Sequence, residues 1–449
     1  MTEPPTDDDA SGSPTILTAE SLAQLAGDIP LPDDWARAAN RERLDQLAKP
    51  VGALGRLEEL STWLAGVQSA SPPHPLRRPR LVIFAGDHGV AAHGVSAYPA
   101  SVTPLMVRAF RDGTAAANAL ARQSGAGVRV VDISVDVAPD VDADDPALTR
   151  YKVRRGSGRI DVEDAMTLEE TSAALRAGMA IADEEVDAGA DLLIAGDMGI
   201  GNTTPAAALV GVLTGSDAAS VIGRGTGIGD RGWMRKCAAI RDAMRRGRPV
   251  QADIVELLSR IAGPDFAATT GFLLQAAARR TPVLLDGVVS CACALVAHSV
   301  APRASLWWLA GHRSPEPSAA LALQWLALEP VVDLGMRLGE GTGALVALPV
   351  LQAAAVTSAE MALLSDVLGE PSGPPAEKSS SPTRFAVPAT SEEPPPTPQP
   401  PAVPQPSGGS SQAPAMPAAT PTKPLAPAET PQSPPPAPQP HPAAGVREL

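Results

Sequence analysis

The stretch from Ala195 to Leu209, AGDMGIGNTTPAAAL, combines a strand end, glycines and hydroxyl side chains in an order that suits anion binding. A helix is predicted to begin near Pro205, because proline fits the first helical turn, where its missing N–H would have no partner. Free backbone N–H groups at a helix start favour phosphate. The string matches neither GxxxxGK[ST] nor GxGxxG, which argues against a P-loop ATPase and a dinucleotide fold. A tight strand–helix turn without a ligand is the alternative.

A second glycine loop, GRGTGIGDRG, runs from Gly223 to Gly232, and Lys236 follows it within a few residues. A lysine ammonium group is a compact positive charge that can neutralise part of a phosphate. We therefore expect this loop and Lys236 to serve the same anion site.

A third glycine loop, DLGMRLGEGTGALVALP, places Glu340 between Gly339 and Gly341, ahead of a long apolar helix. A carboxylate at the mouth of an apolar cavity has a raised pKa and can act as a general base. The flanking glycines leave room for a planar ligand beside it. The alternative is a carboxylate that only caps a helix N-terminus.

Asp87 and His88 directly follow an apolar run in the string AGDHGV. They are either a polar strand end that satisfies its own turn or part of a functional site, and the pattern leaves both open. A metal site is disfavoured, because His88 and His93 lie five residues apart on a loop without a cysteine cluster. Cys291 and Cys293 lie in an apolar helix, which indicates core packing. The sequence thus predicts neither a metal nor a cofactor.

The three glycine loops can form one site only if strands and helices bring them together at one edge of a sheet. Helices are predicted over residues 15–27, 33–48 and 52–68, with Asp33 or Asp34 as an N-cap. Short β-rich runs then alternate with helical stretches: LVIFAGDHG, VRVVDISVD, DLLIAGDMG, TPVLLDG, SLWWLAGH and, less clearly, VVDLGMRLGEGTG. The continuous apolar cores of the first few predict a mainly parallel sheet flanked by helices, a doubly wound α/β fold. In such folds ligands bind at the carboxyl ends of the strands.

Composition divides the chain into a body and a tail. The sequence has 449 residues and 48 prolines, and 25 of those prolines lie within residues 371–449. Such a segment lacks the large apolar side chains that offset the entropy of ordering. We therefore predict a disordered tail, residues 370–449, and a disordered acidic leader, residues 1–14. The body between them, residues 15–369, is large enough for one large α/β domain or a large and a small one.

Charge and apolar patterning exclude several classes of protein. A formal net charge of −14 and a pI near 4.9 argue against a nucleic-acid groove. The chain starts without the basic and apolar regions of a signal peptide, and the apolar run over residues 287–297 is too short to span a bilayer. Three cysteines suit a reducing compartment better than a disulfide scaffold. We expect a cytoplasmic protein that binds neither nucleic acid nor membrane.

Five separated motifs, in order along the chain, resemble those of one known family. They are AGDHGV with GVSAYP, GDMGIGNTT, GRGTGI, GHRSPEP and RLGEGTGA, and the resemblance runs from about Lys49 to about Ala359. The family is that of the nicotinate-nucleotide:dimethylbenzimidazole phosphoribosyltransferases, the CobT family. The resemblance implies transfer of 5-phosphoribose from nicotinate mononucleotide to 5,6-dimethylbenzimidazole. The products would be nicotinate and α-ribazole 5′-phosphate, which supplies the lower ligand of cobalamin.

The resemblance also implies roles for individual residues. Glu340 is expected to be the general base that removes the benzimidazole proton, with Asp197 as a secondary carboxylate. Expected on the phosphoribosyl side are Gly199, Gly201, Asn202, Thr203, Lys236 and Ser314, and in the base pocket Ser96, Tyr98, Met198 and Leu338. The family further implies a homodimer and a small helical subdomain, residues 15–75 and about 343–369, beside an α/β part, residues 76–342.

The chain departs from the family pattern at three places. Asp197 stands where the family often has Glu, which weakens the expectation of its secondary role. GHRSPEPS ends in Ser318 where the family usually continues with Gly-His, and the Pro-rich tail is not a family feature. The tail is either passively disordered or a tether or ligand for a partner domain, and the sequence identifies no such partner.

Two other functions stay open. One keeps the fold and the donor and changes the acceptor to another base. The other is an inactive relative that acts as a scaffold through its tail, against which the Gly-Glu-Gly turn around Glu340 argues.

Overall fold

The described residues form one five-stranded sheet, in which every neighbouring pair of strands is parallel. The structure is a computed structural model that describes residues 16–138 and 145–369. The predicted leader and the predicted disordered tail lie outside the described residues. The strands are β1 (Pro79–Gly86), β2 (Gly127–Ser134), β3 (Leu192–Met198), β4 (Val283–Leu285) and β5 (Trp308–Ala310).

Helices precede, connect and follow these strands. Those up to β3 are α1 (Ala19–Asp28), α2 (Asp34–Gln46), α3 (Arg56–Gln68), α4 (Val102–Arg111), α5 (Ala116–Ser124), α6 (Pro146–Thr149) and α7 (Leu168–Asp187). Those after β3 are α8 (Thr203–Leu213), α9 (Ala218–Val221), α10 (Asp230–Gly247), α11 (Ile254–Ile261), α12 (Pro264–Ala278), α13 (Val288–Val300), α14 (Pro317–Trp325), α15 (Thr342–Glu360) and α16 (Leu364–Leu368). Short 3-10 helices span Gly89–His93, Arg248–Val250 and Pro302–Trp307.

The two faces of the sheet bury alternate side chains of the same strand. In β1, Leu81 and Ile83 join an apolar cluster with α3, α4, α5 and α15. Val82 and Phe84 join a larger cluster with α7, α8 and α10 to α14. All four side chains are fully buried. Helices therefore cover both faces, and the predicted doubly wound α/β fold is confirmed.

The strand order β2-β1-β3-β4-β5 creates a crevice beside β1. The chain leaves β1 towards α4 and α5 on one face, whereas it leaves β3 towards α8 on the other. Loops from the carboxyl ends of these neighbouring strands therefore diverge. Such a switch point is where open α/β sheets bind ligands.

Helix α15 is long and apolar enough to span a membrane by length and composition alone. In this fold it packs against α3, α5 and the sheet, and more than half of it is buried. That combination is typical of a core helix. The apolar stretch predicted to be a buried helix, residues 287–297, lies within α13 and its N-cap, and the cysteines of this helix, Cys291 and Cys293, are free and buried.

Helices α2 and α3 pack against each other and against α15, and Leu47 pairs with Leu363 in an isolated antiparallel bridge. Helix α1 packs instead against α12 and α13, which lie within the predicted α/β part, residues 76–342. The division into a small helical subdomain and an α/β subdomain stays a prediction.

Three local predictions were wrong in detail, and one of them is the start of α3, which begins at Arg56 and not at residue 52 because the glycines at 52 and 55 have positive φ values. The run VVDLGMRLGEGTG forms no strand, because glycines at 335, 339 and 341 adopt left-handed backbone, and only Val332 pairs with His312 in a single bridge. Helix α1 begins at Ala19, four residues later than predicted, because Thr18 forms a capping box with Ser21.

Candidate active site

A cavity of about 710 Å³ opens at the carboxyl edge of the sheet, at the switch point. It collects loops that follow β3, β4 and β5, together with the start of α4 and the turn before α15. Nine of the twelve residues predicted for the site line it, namely Tyr98, Asp197, Met198, Gly199, Asn202, Thr203, Ser314, Leu338 and Glu340. The other three, Ser96, Gly201 and Lys236, stand directly behind or beside this lining, as their contacts show.

Lys236 lies beneath the start of α8. Its side chain is fully buried, and its Nζ donates a hydrogen bond of 2.7 Å to Thr203 Oγ1. Burial lowers the pKa of Lys236 to about 8, and the negative charge of Glu316 opposes this shift. A Cβ atom on Gly225 would lie 2.9 Å from Thr203 Oγ1 and 3.1 Å from the Lys236 ammonium. Bare backbone at Gly225 therefore keeps this positively charged end of the cavity open.

Gly201 and Ser96 shape the cavity from its edge. Gly201 has a φ of +95°, which favours glycine, and this turn leads directly into Asn202 and Thr203 at the start of α8. Ser96 Oγ lies 3.2 Å from Oγ1 of Thr226, a residue of the cavity wall, and accepts the Tyr98 N–H. These contacts hold the Ser96–Tyr98 segment beside the cavity.

Glu340 sits at the centre of a strained turn. Gly339, Glu340 and Gly341 have φ values of +83°, +63° and +80°, and a left-handed conformation is uncommon for glutamate. Its side chain is buried and accepts a hydrogen bond from the Ala117 N–H at the start of α5, while Oε2 has no partner among the described residues. Burial raises the pKa of Glu340 to about 7, with a further contribution from the charge of Asp286.

Asp197 lies at the end of β3, beside the same turn. A Cβ atom on Gly339 would approach Asp197 Oδ2 to 3.2 Å, so the glycine lets the turn pass over this carboxyl group. Asn202 donates to Asp197 Oδ2 at 2.7 Å, which favours the charged form. Burial and the charge of Asp286 outweigh this bond and raise the pKa of Asp197 to about 8. Asp197 is therefore mostly a neutral acid near pH 7.

Asp286 is a site residue that the sequence reasoning missed. It follows β4, is fully buried, and accepts hydrogen bonds from the backbone N–H groups of Gly341, Gly343 and Ala344 at 3.1, 2.7 and 3.0 Å. It thereby holds the turn of Glu340 and caps the start of α15. A usable signal existed, since Asp286 lies between the apolar part of the predicted strand TPVLLDG and the apolar run over residues 287–297.

His312 and Glu316 were missed as well, although they flank the predicted Ser314. Both are buried and line the cavity, and Glu316 Oε1 accepts the Gly225 N–H at 2.8 Å. The motif GHRSPEP contained them, but its spacing alone did not show which side chains face inward. The apolar wall also includes Val102, Met106 and Met336, for which no local pattern was available.

Asp87 and His88 do not line the cavity, and their hydrogen bonds are to other protein groups, with His88 Nδ1 left without a partner among the described residues. Asp87 accepts from Thr103 Oγ1 at 2.6 Å and from the Asp136 N–H at 2.9 Å, and His88 Nε2 lies 3.1 Å from Asp265 Oδ2. Thr103 Oγ1 in turn accepts the N–H of Ile200 in the anion loop at 3.2 Å. This buried network therefore stands behind the loop and positions it.

Within residues 16–138 and 145–369, His, Cys, Asp and Glu side chains form no group of three or more that could hold a metal ion. The two histidines considered as metal ligands have different surroundings. His88 is buried beside Asp265, whereas His93 is exposed and contacts Arg159.

The parallel sheet and this cavity, whose wall combines a helix start with a buried carboxyl group of raised pKa, are those of an α/β enzyme. Residues 29–367 match a family model described as phosphoribosyltransferase. A nicotinate-nucleotide–dimethylbenzimidazole phosphoribosyltransferase of Mycobacterium avium is 58% identical over 345 residues, which are 77% of this chain and 98% of the relative. The enzyme of that name from Streptomyces avermitilis is 54% identical over 346 residues, 77% of this chain and 92% of the relative.

The crystal structure of CobT from Thermus thermophilus superposes with a TM-score of 0.70 at 42% sequence identity, covering 74% of this chain and 98% of that one. The chain belongs to the nicotinate-nucleotide–dimethylbenzimidazole phosphoribosyltransferase family, as its motifs predicted.

Proposed function

We propose that this enzyme transfers 5-phosphoribose from nicotinate mononucleotide to 5,6-dimethylbenzimidazole, giving α-ribazole 5′-phosphate and nicotinate for the lower-ligand branch of cobalamin biosynthesis. The observation that carries the proposal is Glu340, a buried carboxyl group with a pKa of about 7 on the wall of the same cavity as the start of α8, which suits an anion. One end of the cavity thus suits a phosphate, and the other suits a base that must lose a proton.

The donor phosphate is assigned to the end formed by the start of α8 and the Gly225 loop. Lys236 supplies positive charge, Thr203 and Ser314 supply hydroxyl groups, and the start of α8 supplies the positive end of the helix dipole. Gly199 and Gly201 let the chain approach closely. This arrangement fixes one end of the donor, so that its C1′ atom lies towards Glu340.

The reaction proceeds by displacement at C1′. One ring nitrogen of the benzimidazole attacks C1′, the bond to the pyridinium nitrogen breaks, and its electron pair stays on nicotinate, which leaves without needing a proton. The N–H proton of the benzimidazole passes to Glu340. Attack on the face opposite the leaving group converts the β-configuration into α, and general-base assistance contributes about 10²–10⁴-fold.

The acceptor is assigned to the apolar part of the cavity. Met198, Leu338 and Tyr98 lie there with Val102, Met106 and Met336, and Asp197 stands beside the Glu340 turn. Because Asp197 is largely protonated near pH 7, we assign it the role of a neutral hydrogen-bonding group rather than a second base. A different planar base that fits this apolar slot is the second candidate acceptor.

The proposal is tested by incubating the protein with nicotinate mononucleotide and 5,6-dimethylbenzimidazole and following products by mass spectrometry and NMR. We expect α-ribazole 5′-phosphate and an equal amount of nicotinate. Adenine and unsubstituted benzimidazole run in parallel distinguish the acceptors by kcat/KM. Folded protein that gives no ribazole product, while a known family member turns over in the same buffer, would contradict the proposal.

We also propose a homodimer in the cytoplasm. Supporting the dimer, Tyr98, Leu105 and Leu338 are large side chains more than half exposed on or near the cavity wall, where a partner subunit would cover them. Supporting the cytoplasm, the free cysteines suit a reducing compartment. Light scattering coupled to size-exclusion chromatography should give twice the chain mass, and a monomer at micromolar concentration would contradict the dimer.

A further inference from the structure

His312 lies on the cavity wall with both ring nitrogens free of hydrogen bonds. It comes two residues after β5, only 2% of its side chain is exposed, and neither Nδ1 nor Nε2 has a partner among the described residues. Buried polar groups are nearly always paired, because an unpaired one loses the hydrogen bonds that water would provide. A buried imidazole that faces a substrate-sized cavity is therefore expected to find its partner in a ligand.

The neighbouring carboxylate does not account for His312. Asp286 Oδ1 lies 3.7 Å from His312 Nε2, which is longer than a hydrogen bond. That carboxylate already accepts three backbone N–H groups, from Gly341, Gly343 and Ala344. Asp286 is thus satisfied by the turn it holds, and the imidazole is left available.

Gly343 makes room for this ring, which also lies beside Gly287. A Cβ atom on Gly343 would lie 2.0 Å from Cδ2 of His312, so any other residue there would displace the imidazole. A Cβ atom on Gly287 would lie 3.7 Å from Nε2, and Gly287 is itself part of the cavity wall. The backbone is therefore shaped to hold the imidazole at the cavity.

His312 belongs to a short segment whose polar side chains alternate. His312, Ser314 and Glu316 are buried and line the cavity, whereas Arg313 and Pro315 are exposed. Period-two alternation is that of extended backbone, and the bridge between His312 and Val332 fits it. The segment therefore presents successive polar groups to the substrate.

The position of His312 indicates which part of the donor it meets. The phosphate is assigned to the Lys236 end, and the reacting C1′ atom lies towards Glu340, so the ribose ring must span the distance between them. His312 comes two residues before Ser314 in the chain, and its ring packs against Gly343, three residues after Glu340. A hydroxyl group both donates and accepts hydrogen bonds, and it therefore suits a neutral imidazole in either tautomer.

We propose that His312 binds a ribose hydroxyl of the donor and thereby selects ribonucleotide over deoxyribonucleotide donors, an inference that rests on the proposed function. Sites that hydrogen-bond a substrate hydroxyl reject the analogue without it, because a buried protein group is then left unpaired. Glu316 is the weaker candidate for this role, since its carboxylate already accepts the Gly225 N–H.

The test compares nicotinate mononucleotide with its 2′-deoxy and 3′-deoxy forms in wild type, His312→Phe and the matched control His298→Phe, which lies on α13 outside the cavity wall. In wild type and in the control, kcat/KM for one of the two deoxy donors should be about 10- to 100-fold lower than kcat/KM for nicotinate mononucleotide itself. In His312→Phe, kcat/KM for the complete donor should be lower than in wild type by a similar factor. For that deoxy donor, His312→Phe should have the same kcat/KM as wild type. His312→Gln, which keeps a polar group, should discriminate to an intermediate degree and replaces the Phe variant if that one fails to fold.

Retention of the wild-type preference for both hydroxyls in folded His312 variants would overturn the proposal. Nicotinamide mononucleotide forms a separate arm, and a collapse of the nicotinate-to-nicotinamide preference alone would assign His312 to the leaving group instead. Calorimetric binding of the same donors without acceptor separates the two proposals. Discrimination in binding without any ribazole product would contradict the proposed function but support His312, whereas wild type that binds no donor would overturn both.

Discussion

Asp286 holds the turn that carries Glu340 in place through hydrogen bonds. Its two carboxylate oxygens accept three backbone N–H groups from the residues directly after Glu340, at 2.7 to 3.1 Å. The same charge adds to the effect of burial that raises the pKa of Glu340 to about 7. One buried carboxylate therefore both places the proposed base and adjusts its basicity.

Replacing Asp286 by Asn should change the pH dependence as well as the rate. The loss of a negative charge near Glu340 lowers the pKa of Glu340, so the acidic limb of kcat/KM should move to lower pH. The asparagine side chain has one acceptor oxygen instead of two and therefore accepts fewer of the three N–H groups. We expect this loss to lower kcat and to reduce the free energy of unfolding by about 1–3 kcal/mol. Steady-state pH profiles and urea unfolding measure the two effects.

The matched control is Asp33→Asn, because Asp33 caps α2 away from the cavity. This variant should keep the wild-type pH profile. An acidic limb that stays in place, or moves to higher pH, in Asp286→Asn would contradict the electrostatic coupling.

The pKa values of Glu340 and Lys236 predict a narrow pH optimum. Glu340 must be deprotonated to act as a base, so kcat/KM should rise as the pH increases through about 7. Lys236 must be protonated to bind phosphate, so kcat/KM should fall as the pH increases through about 8. The profile of kcat/KM reports the free enzyme and should therefore be bell-shaped.

Lys236→Arg serves as the control, because a guanidinium keeps its charge throughout this range. In the Asp197→Asn background, which removes the other site group with a pKa of about 8, the alkaline limb of Lys236→Arg should disappear even if the maximum is lower. A wild-type profile that stays flat between about pH 6 and 9 would contradict both assignments.

Asp197→Asn should lower kcat less than Asp197→Ala does. The raised pKa makes Asp197 mostly neutral at pH 7, and an amide reproduces a neutral group that can bond with Asn202. We expect Asp197→Asn to keep kcat within about tenfold of wild type, and Asp197→Ala to lose more, because Asn202 is left unpaired. Measured kcat values at pH 7 for the two variants check this, and an equal, severe loss in both would show that the ionised carboxylate is required.

The loops of the site could be predicted from the sequence because their signals are local. Glycine strings after apolar runs marked the anion loop and the Glu340 turn, and uninterrupted apolar cores such as Leu81–Ala85 marked strands buried on both faces. The roles of Asp286 and His312 depended on contacts that a local pattern does not contain. Asp286 bonds to a residue 57 positions later, and His312 packs on Gly343 through a turn whose geometry only the fold defines.

Removing residues 370–449 should leave the enzyme unchanged. The family match ends at residue 367, and α16 ends at Leu368 within the described part of the chain. A chain that stops at Gly369 should therefore have the melting temperature and kcat/KM of the full protein, within about 2 °C and twofold. The comparison uses differential scanning calorimetry and the product assay, and a large loss of either quantity would mean that the tail contributes to the folded body.

The role of Glu340 is tested most directly by Glu340→Gln, compared with wild type in single-turnover conditions with saturating nicotinate mononucleotide and dimethylbenzimidazole. The amide keeps the size of the side chain and loses its ability to take a proton. We predict that α-ribazole 5′-phosphate forms about 10²–10⁴-fold more slowly, while the variant keeps its fold and its donor affinity. A rate within about threefold of wild type would contradict the assignment of Glu340 as the base.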